Sequence, residues 1–227
     1  MRDTMDFLIR LRENNNREWF TEHKAEYKKL EAKFHDFVEK LIVGISSFDA
    51  SAKKLTVKDC TYRIYRDTRF STDKTPYKTH IGAYICPGGK KSGNAGYYFH
   101  IEPKGEGLLG GNLFSAGLYM PEKEVLKSVR EDILYKGDEF LATVKKAKGF
   151  TLSTESALKR APAGFPPDSP YVEYLKLRDI HLMKIFDDNF LFHPHVLENT
   201  INAFKVTVDF MNFLNRAANF VHEEKME

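Results

Sequence analysis

The hydrophobic period of this chain falls from that of a helix to two near residue 55, and that change restricts the folds open to it. From Arg17 the apolar residues Phe20, Tyr27, Leu30, Phe34, Phe37, Leu41 and Ile45 recur every three or four positions with Glu and Lys between them. That is the spacing of a long amphipathic helix, which frays near Ser46. Beyond about residue 55 the period falls to two: Tyr62 and Ile64 alternate with Arg63 and Tyr65, and further runs follow at 79–86, 96–102 and 108–114. Consecutive short strands of this kind predict an antiparallel meander.

Local signals complete the outline. Met5, Leu8, Ile9 and Arg12 follow an Asp/Thr start and predict a short first helix over 3–13, interrupted by Asn14-Asn15-Asn16. Residues 87–96, with four glycines and a proline, read as a flexible loop, and 103–106 as a tight turn. Pro121 opens a helix through Ile133 that stops at Gly137, and a second helix runs to about Lys148. The proline-rich stretch 161–170 is an ordered loop, a short helix reaches Leu177, and a final helix runs from Pro194 through Val196, Leu197, Ile201, Phe204, Val208, Met211 and Leu214. With no repeat or linker, the expectation is one α+β domain over 1–227: helical over 1–50, a sheet of four or five strands over 55–114, and helical over 120–220.

Composition narrows the function classes. At 227 residues and 42% hydrophobic, the chain has enough apolar material for a packed core. No run approaches the roughly 18 apolar residues that span a bilayer, and the start has no long apolar stretch. The chain therefore reads as cytoplasmic, without a membrane partner. Cys60 and Cys86 stand in no zinc or redox spacing and read as packing in a reducing compartment. A net charge of +3 is too small for generic DNA binding.

That charge is concentrated. Residues 58–80 carry six Lys/Arg against three Asp/Glu, and the rest of the chain is balanced. Arg63, Arg66, Arg69, Lys74 and Lys78, interleaved with Ser71, Thr72 and Thr75, are the groups that bind phosphate or carboxylate. No Gly-x-x-x-x-Gly-Lys-Ser/Thr loop is present, so a Walker-type nucleotide site is unsupported. The structural alternative is that Asp67 and Asp73 pair with the neighbouring cations and tie down the hairpin connection.

Antiparallel pairing sorts the sheet by parity. Odd positions Tyr65, Ile81, Ala83, Ile85, Tyr97, Phe99 and Ile101 form a core face. With Arg66 opposite His80 and His80 opposite Glu102, the even face reads Arg66, His80, Glu102, then Ile64, Gly82, His100, then Tyr62, Tyr84, Tyr98. Gly82 leaves a gap where a ligand or another backbone can approach. Imidazoles beside a carboxylate suit proton transfer, so His80, His100 and Glu102 are the candidate catalytic residues, with Glu102 orienting a histidine. A charge-paired sheet surface explains the same residues without chemistry.

Other signals are weaker. His193, His195, Asp187 and Asp188 are ligand types, but Pro194 at a helix start accounts for the local sequence, and no metal or cofactor is expected. Ser115 lacks a Gly-x-Ser-x-Gly setting and a recognisable base partner, which disfavours a serine hydrolase. Trp19 and Phe20 read as core anchors.

Several of these stretches resemble one family. Asn14-Asn-Asn-Arg-Glu-Trp-Phe20 with His23, Lys24 and Tyr27, then Arg63-Ile-Tyr-Arg-Asp-Thr-Arg-Phe-Ser-Thr-Asp-Lys-Thr-Pro-Tyr-Lys-Thr-His80, then Gly96-Tyr-Tyr-Phe-His100, Gly110-Gly111 and Leu158-Lys-Arg-Ala-Pro-Ala-Gly-Phe165 are similar to the domain-of-unknown-function 2461 family. The resemblance implies a single domain with the central block as its hallmark, and implies no activity. Two readings stand: a protein that binds a small phosphate or carboxylate ligand, with an enzymatic version using His80 or His100, and a noncatalytic module that docks a nucleic-acid backbone or an acidic protein surface. Oligomeric state leaves no mark in the sequence.

Overall fold

A computed structural model describes residues 1–225. Its helices are α1 (Arg2–Glu13), α2 (Arg17–Glu22), α3 (Lys24–Ser46), α4 (Val57–Cys60), α5 (Lys123–Tyr135), α6 (Gly137–Lys146), α7 (Val172–Leu175), α8 (Asp188–Leu191), α9 (Val196–Lys205) and α10 (Val208–Glu224). The strands are β1 (Ile81–Ile85), β2 (Gly96–Ile101), β3 (Leu113–Leu118), β4 (Thr151–Leu152) and β5 (Ile180–Ile185). They form one five-stranded antiparallel sheet in the order β1-β2-β3-β5-β4, and the architecture is α+β as expected. No helix among the described residues is long and apolar enough to cross a membrane.

Over β1 and β2 the core lies on the odd-numbered face, as parity predicts. Ala83, Ile85, Tyr97, Phe99 and Ile101 are buried and share a face with Phe114, Ala116 and Leu118 of β3 and Ile180 and Leu182 of β5. Helices cover this face: Phe37 of α3 packs on Phe99, and Phe204 of α9 packs on Tyr97 and Phe114. The buried stripe of α3, from Tyr27 to Ile45, is the apolar stripe of its sequence. Aromatic rings fill the centre, with Phe114 and Phe186 stacked at 4.4 Å.

The structure departs from the sequence pattern in several places. Residues 61–66 form no strand: Thr61 meets Ala83 and Tyr65 meets Tyr77 in isolated bridges, Ile64 turns into a second apolar cluster, and Tyr65 is exposed rather than core. The register of this segment is also shifted. Tyr62 was expected opposite Tyr84, whereas the bridge from Thr61 to Ala83 puts Tyr62 level with Gly82. The third run is displaced from 108–114 to Leu113–Leu118, because residues 105–111 are held as a loop. The sheet does not end at 114, since β5 pairs with β3 and carries β4 at its edge, so only β1 to β3 form a meander. The two long helices are each broken, at His23 and at 206–207.

The second cluster joins the amino-terminal helices to the hairpin of residues 64–77. Phe7, Leu11, Phe20, Tyr27, Leu30, Ile64 and Tyr77 are buried together, with Trp19 packed against them. Phe20 stacks on Tyr77 at 3.9 Å. Trp19, Phe20, Tyr27 and Tyr77 of the family-like stretches are therefore scaffold, whereas Tyr65 and Phe70 are exposed.

Candidate functional site

Two of the hairpin's cations, Arg66 and Arg69, are paired with its own carboxylates. Arg66 donates to Asp73 at 2.5 Å and to the hydroxyl and carbonyl of Thr75, and Arg69 donates to both oxygens of Asp67 at 3.0 and 2.6 Å. Backbone and hydroxyl hydrogen bonds from Thr75, with the Arg66 guanidinium, hold the Asp73 carboxyl down at about 2. Lys78 is half-buried with its ammonium 5.4 Å from the centre of the Tyr62 ring, and burial lowers its pKa. The expected row of Arg66, His80 and Glu102 does not form, because Arg66 turns to Asp73.

Two cations remain beside an open cleft of about 430 Å³ between the Asn14-Asn15-Asn16-Arg17 segment and the hairpin. Asn15, Asn16, Arg17, Thr68, Lys74, Thr75 and Pro76 line it. Among the described residues neither Arg17 nor Lys74 has a carboxylate within 4.0 Å, and the nearby Asp67 and Asp73 are engaged by Arg69 and Arg66. Lys74 donates one hydrogen to the Thr68 carbonyl at 3.0 Å, leaving two. Arg63 is likewise exposed without an ion-pair partner among the described residues.

The sheet does bring His80, His100 and Glu102 together. Gly82 lies opposite His100 and Tyr84 opposite Tyr98, as expected, and His80 and Glu102 flank the end of that ladder. The Glu102 carboxylate is buried and accepts from the backbone amides of Leu108, Leu109 and Gly110 at 2.6, 2.7 and 2.9 Å. Burial pushes its pKa up, but hydrogen bonds from His100 and from the Leu109 and Leu108 amides outweigh that and hold it at about 2. Gly110 takes the left-handed φ of +75° that this loop requires.

His100 is fully buried between Glu102, 3.3 Å from Nε2, and the Tyr98 hydroxyl, 2.8 Å from Nδ1. A carboxylate only accepts, so Nε2 carries the hydrogen and Nδ1 accepts from Tyr98. The His80 ring lies 4.9 Å from that of His100, and its Nδ1 is 3.8 Å from Glu102. Burial lowers His80 to about 4, against the opposing pull of the Glu102 carboxylate. The gap at Gly82 is filled from within: a Cβ there would meet the Tyr98 hydroxyl at 2.7 Å.

Two groups escaped the sequence reading. Arg17 faces Lys74 only because the second cluster folds the amino-terminal segment onto the hairpin, and its place beside the asparagine triplet was the one signal for it. Ser115, expected to lack a partner, has an imidazole beside it: its Oγ lies 2.9 Å from His181 Nδ1 on β5. The apolar Ile180 and Leu182 on either side of His181 were the signal for that strand. His193 and His195 sit at the start of α9 with rings 5.6 Å apart, and His195 faces Glu198 at 3.7 Å. Cys60 and Cys86 are buried free thiols, pushed up by burial to about 12 and about 11.

A family model described as conserved hypothetical protein (DUF2461) matches residues 3–213, and the chain belongs to that family. Neither the curated proteins nor the solved structures gave a match.

Proposed function

We propose that this DUF2461 protein binds a small ligand bearing a phosphate or carboxylate in the cleft between residues 15–17 and 68–76, with Arg17 and Lys74 holding the anion. The observation that carries the reading is a cleft with two cations and no carboxylate in its lining. Two cations without a counter-charge are ready for an external anion, and Arg17 supplies the planar fork that a phosphate or carboxylate accepts. The Thr68 hydroxyl and the Asn16 amide add neutral partners along the walls. A volume near 430 Å³ suits a metabolite-sized ligand.

Arg66 and Arg69 shape the turn, and Arg63 and Lys78 add positive potential around it. Glu102 serves the loop at 108–110, since three amides occupy its oxygens. Binding to the native state raises thermal stability, so the test is a melting-temperature screen of inorganic phosphate, nucleotides, di- and tricarboxylates and a short oligonucleotide. The expected result is a rise for the wild type that is lost in Lys74→Glu and reduced in Arg17→Ala. Equal rises in all three proteins, or no rise with any small anion, would sink the proposal. A rise with the oligonucleotide alone would favour the noncatalytic docking module.

A further inference from the structure

The sheet face opposite the helices carries a second hydroxyl–imidazole arrangement, well separated in sequence from the basic hairpin. Ser115 on β3 is the direct partner of Tyr98 on β2 and of Met183 on β5, so these side chains share that face. His181 lies opposite Gly117, diagonal to Ser115, and the two meet at 2.9 Å. Both are partly exposed. The Tyr119 ring stands edge-on to His181 at 6.1 Å, followed by Met120, the one non-glycine residue with positive φ among the described residues (+48°). Met120 N–H donates to Asp179 at 2.6 Å, which fastens this turn beside the pair. A strained residue is worth following towards function when independent contacts surround it.

We propose that Ser115 and His181 form a nucleophile–base pair for acyl transfer, acting on a small ester at the partly exposed sheet face that carries Tyr98, Ser115 and Met183. Ser115 Oγ forms a bond to the acyl carbon while its proton moves to His181 Nδ1 and the carbonyl π electrons move onto oxygen. Collapse of that adduct breaks the ester C–O bond, and the departing alkoxide takes the proton from His181. Water then attacks the acyl carbon of the acyl-serine, giving a proton to His181; collapse of this second adduct breaks the acyl C–Oγ bond, Ser115 Oγ takes the proton back from His181, and the carboxylic acid leaves. Burial lowers the His181 pKa, which keeps the imidazole neutral and able to accept, and the charges of Asp179 and Glu155 oppose that shift and favour the transient imidazolium.

The test is labelling of the folded wild-type protein with an alkyl fluorophosphonate, which phosphonylates activated serines with loss of fluoride, followed by mass spectrometry of the Ser115 peptide. The expected adduct lies on Ser115, and His181→Gln slows its formation by at least about 100-fold, the scale of a general base. The wild-type experiment decides without any variant: an unlabelled Ser115, under conditions that label a serine esterase completely, overturns the proposal. Undiminished labelling in a folded His181→Gln protein overturns the role of His181 as base.

Discussion

Asn15 grips the peptide of Tyr77 from both sides: its side-chain oxygen accepts from Tyr77 N–H at 3.1 Å, and its amide donates to the Tyr77 carbonyl at 2.9 Å. This pairing imitates a strand partner. It fixes the junction between α1 and α2 against the hairpin and so sets the distance across the cleft that Arg17 and Lys74 line.

Asn15→Ala removes both hydrogen bonds and leaves two partly buried backbone groups to find water. A cost of about 1–3 kcal/mol is expected. The urea midpoint should fall without a change in slope, and any ligand of the cleft should bind more weakly. A midpoint within error of the wild type would show that the pairing contributes nothing.

Glu102→Gln replaces one acceptor oxygen with a donor that faces amide hydrogens. Losing hydrogen bonds to a charged group, with a buried donor left over, predicts a loss of about 2–4 kcal/mol. Exchange of the Leu108, Leu109 and Gly110 amide hydrogens should accelerate in the variant while that of β2 changes much less. Unchanged exchange at those three amides would remove Glu102 as the anchor of the loop.

Acid should destabilise the protein in two stages. An unfolded chain protonates His80 near 6.5 but the fold only near 4, so over that interval the unfolded state binds more protons and stability falls as pH falls. Glu102 titrates near 4.5 unfolded and about 2 folded, so its contribution is present above 4.5 and is lost between 4.5 and 2. His181 is shifted in the same direction as His80. His80→Asn should therefore reduce, without abolishing, the slope of stability between pH 6.5 and about 5. Parallel urea-midpoint profiles for the two proteins would rule His80 out as a contributor.

The legible parts of this fold are those in which one period runs uninterrupted. Gly82 opposite His100 and Tyr84 opposite Tyr98 follow from alternation together with the pairing of His80 with Glu102. Residues 61–66 alternate too, but Ile64 finds its partners in Phe20 and Tyr77 rather than in the main core, and alternation carries no record of which cluster receives a side chain. Leu108 and Leu109 read as strand residues, yet their amides are drawn to Glu102, an interaction set by a carboxylate six and seven positions away. The break at His23 is invisible to periodicity because the apolar phase continues from Phe20 to Tyr27; the ring of His23 stacks on Trp19 at 4.0 Å where the axis turns. Charge concentration locates the hairpin, but only the fold shows that Asp67 and Asp73 consume Arg69 and Arg66 and leave Lys74 beside Arg17.

Gly82→Ala tests how the sheet face is closed. The added methyl would lie 2.7 Å from the Tyr98 hydroxyl, 2.8 Å from its ring and 3.0 Å from the Phe99 carbonyl oxygen, so Tyr98 must swing away and give up His100. Overpacking of this kind costs about 1–3 kcal/mol. Tyr98→Phe, which deletes only the hydroxyl, should cost about 1 kcal/mol. In a double-mutant cycle, Gly82→Ala made in a Tyr98→Ala background should cost at least ~1 kcal/mol less than in the wild type, because the side chain it collides with is gone. Strict additivity would place the conflict at the Phe99 carbonyl instead, and Tyr98 would then be a neighbour of Gly82 rather than the group that requires it.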